Sequence, residues 1–210
     1  MGARSQGAWA VLDPCFPCAL FLPLLYHSAT VISESILEGE KVRLRPTEER
    51  DLPRFVEWLA DRDVTRWLAA MGDPPTLEDE REWYERRRED PESVMWSIET
   101  LDGRLAGNVE LRLAPRAKRA EMGIAIQDKV LWSQGLGTDA VRLVLRYAFE
   151  DLELNRVELT TDEDNRRAIR CYEKCGFARE ALLRQHRLID GKFGNTLVMA
   201  VLREEWESWQ

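Results

Sequence analysis

The sequence predicts an α/β (α+β) fold: a mixed, mostly antiparallel central sheet flanked by helices. Three observations carry this expectation. Between residues 94 and 126, three strand-like segments follow one another with only turn signals between them, as antiparallel neighbours do. From residue 121 to residue 161, a strand, a long amphipathic helix and a second strand follow, which is the pattern of a parallel crossover. Two further strand-like runs then flank Asp190-Gly191, a hairpin turn.

Each element has a local signal. Val42-Arg43-Leu44-Arg45 alternates apolar and charged residues, as a half-buried strand does, and Pro46 ends it. Asp51 is placed to cap a helix running to about Ala60, with Leu52, Phe55, Val56 and Leu59 on one face. Gly72-Asp73-Pro74-Pro75 reads as a loop. Thr76 and Asp79 have capping-box spacing, with Asp in place of the usual Glu, and open a highly charged helix to about Glu89. Residues 94–100, 105–113 and 121–126 are the three strands, separated by the Asp102-Gly103 turn and a basic loop over 115–119. Gly135 and Gly137 lead into a helix whose apolar side carries Ala140, Val141, Val144, Leu145, Ala148 and Phe149. Residues 157–161 form a strand, and Asn165 caps a short helix that stops at Gly176. Residues 177–189 and 193–202 form the last hairpin, so the predicted order is βααβββαβαββ.

Length and charge bound the function. The 210 residues admit one domain plus a surplus. Four Cys are too few for a disulfide scaffold of this length. A net charge of −8 makes the chain a poor binder of phosphate backbones, so no nucleic-acid partner is expected. The surplus is N-terminal: residues 1–35 carry only Arg4, Asp13 and Glu34, so about −7 of the charge lies beyond them. The apolar run over 16–25 is too short to span a bilayer and holds Pro17 and Pro23, so no stable membrane insertion is expected. Its flanks also fit a secretory signal poorly, since Asp13 precedes it and Tyr26-His27-Ser28-Ala29 is a weak cleavage site. Cys15 and Cys18 lack both a strand–helix context and a second ligand pair, and read as coincidence. The expected division is an unassigned extension over 1–35, disordered or lying upstream of a true start near Val31, and a functional domain over 36–208. A cytoplasmic monomer or homodimer is expected.

Chemistry concentrates at two segments. Trp132-Ser133-Gln134-Gly135-Leu136-Gly137-Thr138 lies between a strand and a long helix. Its glycines let backbone N–H groups approach a ligand, and the helix N-terminus adds partial positive charge, which together suit a diphosphate. A P-loop is excluded because no Gly-Lys-Ser/Thr ends the segment. Gly135, Gly137 and Ala140 fit a dinucleotide fingerprint, with Glu158 roughly twenty residues on. However, residues 127–134 separate the first glycine from its strand, and Glu158 starts the next strand instead of ending it. A plain helix start is the remaining alternative.

The second segment is Asn165-Arg166-Arg167-Ala168-Ile169-Arg170-Cys171-Tyr172-Glu173-Lys174-Cys175-Gly176-Phe177. It resembles the Asn-x-x-Ala-x-x-x-Tyr-Glu-Lys-x-Gly-Phe signature of the GNAT superfamily of acyl-CoA-dependent N-acetyltransferases. The glycine segment is similar to that superfamily's Gln/Arg-x-x-Gly-x-Gly/Ala loop, with Trp132 at the Gln/Arg position. Leu44-Arg45-Pro46, Ala120-Glu121-Met122-Gly123-Ile124-Ala125-Ile126 and the ending from Leu197 to Trp206 are similar to its RimJ/RimL-type branch. The resemblance covers roughly residues 36–208.

What the resemblance implies is acetyl transfer from acetyl-CoA to an amine by direct attack in a ternary complex. Amides of Gln134, Gly135, Leu136, Gly137 and Thr138 would hold the pyrophosphate. The strands at 122–126 and 157–161 would splay to admit the pantetheine arm, with backbone groups of Ile124 and Ile126 as its partners. A strand amide there can polarise the thioester carbonyl. Asn165 would donate to the cofactor or serve only as a cap. Tyr172 stands at the position of the family's general acid; otherwise it is a core tyrosine. Glu121 is the candidate base, with pairing to Arg119 or Arg112 as the bland alternative, and Glu110 is the second candidate. Cys171 and Cys175 read as small buried apolar residues and not as nucleophiles. His27 and His186 are isolated, so no metal is expected. The acceptor wall would lie around Trp67, Trp83 and Tyr84, where acidic residues from Glu78 to Glu85 are offset by arginines. The leading acceptor is a protein N-terminal α-amine. The alternatives are a small amine (polyamine, amino sugar or aminoglycoside) and a non-catalytic acyl-CoA-binding module.

Overall fold

In the computed structural model, which describes residues 36–68, 73–189 and 191–208, the strands form one sheet. The expectations for residues 1–35, for Gly72 and for Asp190 lie outside the described residues. In chain order the strands are β1 (Leu37–Glu38), β2 (Val42–Pro46), β3 (Ser93–Thr100), β4 (Leu105–Ala114), β5 (Arg119–Ile126), β6 (Arg156–Asp162), β7 (Ala178–Ile189) and β8 (Lys192–Leu202). The helices are α1 (Leu52–Leu59), α2 (Arg62–Thr65), α3 (Leu77–Glu89), α4 (Leu136–Arg146), α5 (Arg166–Glu173) and α6 (Arg203–Glu207). The sheet order is β1-β2-β3-β4-β5-β6-β8-β7. Every neighbouring pair is antiparallel except β5–β6, which is parallel.

The predicted elements are present, and three short ones, β1, α2 and α6, carried too little periodicity to be read from sequence. The capping box forms as the spacing required: Thr76 N–H donates to Asp79 Oδ2 at 2.8 Å, and Asp79 N–H donates to Thr76 Oγ1 at 3.2 Å. The Asp102-Gly103 turn closes with Thr100 and Arg104 paired, and Gly103 at φ +85°. Asp51 corrects the expectation of a side-chain cap. It lies in a 3-10 turn before α1, and its carboxylate turns inward.

That carboxylate is part of a buried ionic network. Arg45 donates through Nη1 and Nη2 to the two oxygens of Asp51, both at 2.7 Å, and through Nε to Glu99 at 2.6 Å. Ser97 Oγ donates to Asp51 at 2.7 Å. Burial opposes ionisation of Asp51, but hydrogen bonds from Arg45, the Glu48 N–H and Ser97 outweigh it and hold the carboxyl below its usual range.

Residues 93–99 of β3 are all buried, so both faces of the sheet are covered there. One face packs Trp96, Ile98, Val109 and Met122 under α4 and α5, which supply Val141, Val144 and Ile169. The ring of Tyr147, just past α4, stands edge-on to Trp96 at 5.2 Å. A second cluster joins Leu52, Phe55 and Trp58 of α1 to Leu77 and Tyr84 of α3 and to Leu105. Fully buried side chains such as Leu52 and Phe55 each contribute roughly 1.5–3 kcal/mol.

The feature that positions the site is a failure of pairing. β5 and β6 pair only at Arg119↔Arg156, Ala120↔Val157 and Glu121↔Glu158. Beyond that point β5 stays with β4 up to Ile126, and β6 stays with β8 up to Asp162. A wedge therefore opens in the middle of the sheet.

Candidate active site

The wedge widens into a cleft of about 540 Å³, bounded by residues 121–126, the start of α4, Asn165 and one side of α5. The direction of the β5 backbone follows from one hydrogen bond. Gln127 donates its N–H to Ala106 on the β4 side at 2.9 Å. Because strand backbone groups alternate sides, those of Met122, Ile124 and Ile126 point the other way, into the wedge. The backbone groups of Ile124 thus face the wedge. The Ile126 carbonyl also accepts from the Trp132 indole N–H at 2.6 Å.

Trp132 therefore replaces the polar residue of the family loop with a structural tie between the end of β5 and the glycine loop. The Arg167 guanidinium stacks on its ring at 3.7 Å. Burial lowers the pKa of Arg167.

The glycine loop turns at Gly135, whose φ of +87° lies in the left-handed region that favours glycine. α4 begins at the next residue, Leu136, so Gly137 and Thr138 lie in its first turn, where backbone N–H groups lack intrahelical acceptors. Gln134 turns its side chain back, donating to the Val130 carbonyl at 2.7 Å, while its own carbonyl accepts from Lys41 Nζ at 2.9 Å. Asp139 accepts from the N–H groups of Lys41 at 2.8 Å and Val42 at 3.0 Å, fastening the β1–β2 hairpin to α4. Lys41 and Asp139 were missed by the sequence reading. They are 98 residues apart, and neither lies in a motif.

On α5, Asn165 is buried and its side-chain oxygen accepts from the Ala168 N–H at 3.2 Å, so capping occupies that oxygen. Tyr172 is buried on the same side as Ile169 and borders the cleft, with its ring tilted against Phe177 at 5.8 Å. Burial, helped by the nearby Cys171 and Cys175 sulfurs, raises its phenol above the usual value, so the group stays protonated. Cys175 is buried, as expected, but Cys171 is half-buried and borders the cleft. The neighbouring Cys175 thiol, the Thr138 hydroxyl and the Lys174 and Arg142 cations lower its pKa against burial. Cys171 thus departs from the expectation of a buried residue by bordering the cleft.

The carboxylates separate clearly. Glu121 borders the cleft and is paired with Arg112 at 2.7 Å, its side chain 41% exposed. Arg119, the other expected partner, pairs with Glu158 at 2.5 Å. Glu110 accepts from Ser93 at 3.0 Å and pairs with Arg87 of α3 at 3.2 Å, which directs it away from the cleft. Trp67 and Leu68 border the cleft, and Arg187 of β7 donates to the Leu68 carbonyl at 2.9 Å.

A sheet wedged open beside a glycine-led helix N-terminus, with a protonated tyrosine on the facing helix, defines an acyl-CoA-dependent acyltransferase. Residues 41–178 match the Acetyltransferase (GNAT) domain family, and the chain belongs to that family. It is an N-acetyltransferase that uses acetyl-CoA as donor. Among curated proteins, it is 32% identical over 153 residues to the aminoglycoside N(6')-acetyltransferase type 1 of Klebsiella pneumoniae, covering 68% of this chain and 76% of that one. It is 30% identical over 170 residues to the spermidine N(1)-acetyltransferase of Escherichia coli K12, covering 80% and 89%. The fold matches the crystal structure of spermidine N-acetyltransferase from Vibrio cholerae in complex with CoA and spermine, with a TM-score of 0.73, 24% identity, and coverage of 79% and 98%. Among the described residues, no helix is long and apolar enough to cross a membrane.

Proposed function

We propose that the enzyme acetylates a primary amine of a small cationic molecule, of the polyamine or aminoglycoside type. The observation that carries this reading is the cleft itself. Its lining joins the glycine loop to an apolar wall of Val64, Trp67 and Leu68, and it also contains the Glu121 carboxylate. Together these offer a slim amine an apolar wall and one carboxylate, itself paired with Arg112. The likeness to relatives named for aminoglycosides and spermidine supports the same choice. It reverses the order of acceptors expected from sequence. Transfer to a protein N-terminal α-amine is the second reading, favoured by the resemblance of the chain's opening and ending to the RimJ/RimL branch.

In this mechanism the neutral amine attacks the thioester carbonyl, the C–N bond forms and the C–S bond breaks. The Ile124 N–H polarises the carbonyl oxygen. Tyr172 gives its proton to the departing thiolate, and Glu121, held by Arg112, takes the proton of the attacking amine through water. The amides from Gln134 to Thr138 hold the pyrophosphate. The amide nitrogen of Asn165, whose oxygen is used in capping, donates to the pantetheine arm. The catalytic domain is assigned to residues 36–208, with 1–35 as an extension, and the reaction to the cytoplasm.

The test is thiol release from acetyl-CoA with spermidine, an aminoglycoside and a peptide with a free N-terminus. The proposal expects kcat/KM for a small amine to exceed that for the peptide at least tenfold. A peptide preference makes the second reading correct. Acetyl-CoA binding without turnover of any amine makes the protein a binding module.

A further inference from the structure

We propose that Cys171 and Cys175 form a peroxide-sensitive thiol pair whose oxidation to an intramolecular disulfide disables the cofactor end of the cleft. The proposal rests on the reading that this cleft takes acetyl-CoA. The two thiols lie on opposite sides of one joint. Cys171 borders the cleft, whereas Cys175 borders a separate cavity of about 530 Å³ between α4, the β1–β2 hairpin and Trp206. Both sulfurs meet at Thr138, in the first turn of α4. Cys171 Sγ is 3.4 Å from the Thr138 hydroxyl, and Cys175 Sγ is 3.6 Å from the Thr138 carbonyl. A Cβ on Gly137 would stand 3.6 Å from the Cys171 sulfur, so that sulfur packs directly on the glycine loop.

The chemistry of the pair is asymmetric. Cys171 is the more acidic of the two, because the neighbouring Cys175 thiol, the Thr138 hydroxyl and the cations of Lys174 and Arg142 favour its charged form. Cys175 has its thiol directed at the Thr138 carbonyl, and the nearby Cys171 and burial push its pKa up, so it keeps its proton. A low-pKa, accessible thiolate beside a protonated resolving thiol is the arrangement that selects a redox-sensitive cysteine. The Cys171 thiolate attacks the O–O bond of hydrogen peroxide, forming sulfenic acid and releasing hydroxide, which takes up a proton to give water. The Cys175 sulfur then attacks the sulfenic sulfur, forming the S–S bond and releasing a second water. Two thiols are oxidised and one peroxide is reduced. The residues lie about one helical turn apart, a Cα separation of about 6 Å, inside the span of about 4.4–6.8 Å that a disulfide bridges; their Cβ atoms, about 5–6 Å apart at this spacing, must close to about 3.5–4.5 Å, so the bond forms only with backbone movement.

The consequence follows from what the sulfurs touch. Drawing Cys171 toward Cys175 breaks its contact with Thr138 and shifts the last turn of α5, which carries Tyr172 between them. Displacing a positioned group by about 1 Å costs catalysis up to about a hundredfold, so turnover should fall at least tenfold, with KM for acetyl-CoA raised.

The experiment treats the full chain, in a Cys15→Ser, Cys18→Ser background, with hydrogen peroxide, with and without CoA. The first readout needs no activity. Trypsin cleaves after Arg170, Lys174 and Arg179, so the disulfide joins Cys171-Tyr172-Glu173-Lys174 to the peptide starting at Cys175. The expected result is that this linked peptide appears with peroxide, disappears with dithiothreitol, and forms more slowly when CoA fills the cleft. Activity should fall and recover in parallel. In Cys175→Ser, dimedone should label Cys171 as sulfenic acid. The Cys171→Ser variant, scored as the fraction of its own starting activity, should resist peroxide. Absence of the linked peptide, or equal peroxide sensitivity of Cys171→Ser and its parent, overturns the proposal. A linked peptide whose formation CoA does not slow keeps the thiol chemistry and overturns the placement of CoA in this cleft.

Discussion

Replacing Gly135 by alanine tests whether the glycine loop holds the cofactor. The residue sits at φ +87°, and an L side chain there costs about 1–2 kcal/mol. The added Cβ would also meet Lys41 Nζ at 2.9 Å. That atom ends a flexible side chain, so it moves away, losing its bond to the Gln134 carbonyl at about 0.5–1.5 kcal/mol. The loop can relieve roughly 2–3 kcal/mol of strain only by leaving its binding shape, and about 1.4 kcal/mol is a tenfold change in affinity. The expected Kd for CoA, measured calorimetrically, therefore rises about ten- to a hundredfold. Gly103→Ala is the matched control. Gly103 has φ +85°, nothing lies within 4 Å of its added Cβ, and it does not line the cleft. Gly103→Ala should lose about 2–8 °C of Tm and Gly135→Ala at least as much, but only Gly135→Ala should lose CoA affinity. If Gly135→Ala binds CoA as tightly as Gly103→Ala does, the loop is not the phosphate site.

Two further perturbations separate catalysis from stability. Tyr172→Phe should lower kcat about a hundredfold or more, within the usual range for losing a general acid, with Kd for acetyl-CoA little changed; equal turnover at saturating substrates removes Tyr172 from the mechanism. Because burial raises the Tyr172 pKa, kcat should show no fall from phenol ionisation below about pH 10, and a pH profile checks this. Asp51→Asn should cost about 3–5 kcal/mol in urea unfolding at pH 7, since it strips Arg45 of one buried partner. The Asp51 pKa is lowered on folding, so its stabilisation is present above the unfolded value of about 3.9 and is lost as pH falls through the folded value. The gap between Asp51→Asn and wild type should therefore hold at pH 5–7 and narrow only below about pH 4; a gap that narrows at pH 6 refutes this.

How much was legible in sequence depended on the range of the interaction. The capping box at Thr76 and Asp79, the cap at Asn165 and the buried side of α4 were readable because their partners lie within four residues. Asp51 misled for the opposite reason: it has the residue type of a cap, but Arg45 and Ser97 claim its carboxylate. Glu121 stood first and Glu110 second as candidate bases on neighbouring strands, and the position of α3, which brings Arg87 to Glu110, supports that order. Trp132 looked like a tolerated departure from a motif. Its indole reaches back to the Ile126 carbonyl and ties the glycine loop to the end of β5.

The sequence by itself determined the element order, the crossover, the glycine loop and the helix that carries Tyr172, because hydrophobic period, turn residues and caps are local properties. Tertiary structure decided where the sheet stops pairing. It also decided which arginine holds Glu121, how Lys41 and Asp139 brace the loop, and that two cysteines one turn apart converge on Thr138. These contacts join residues about 9 to 100 positions apart, or depend on the packing of α5 against α4. No local pattern encodes them, because burial and partner geometry are set only when the elements come together.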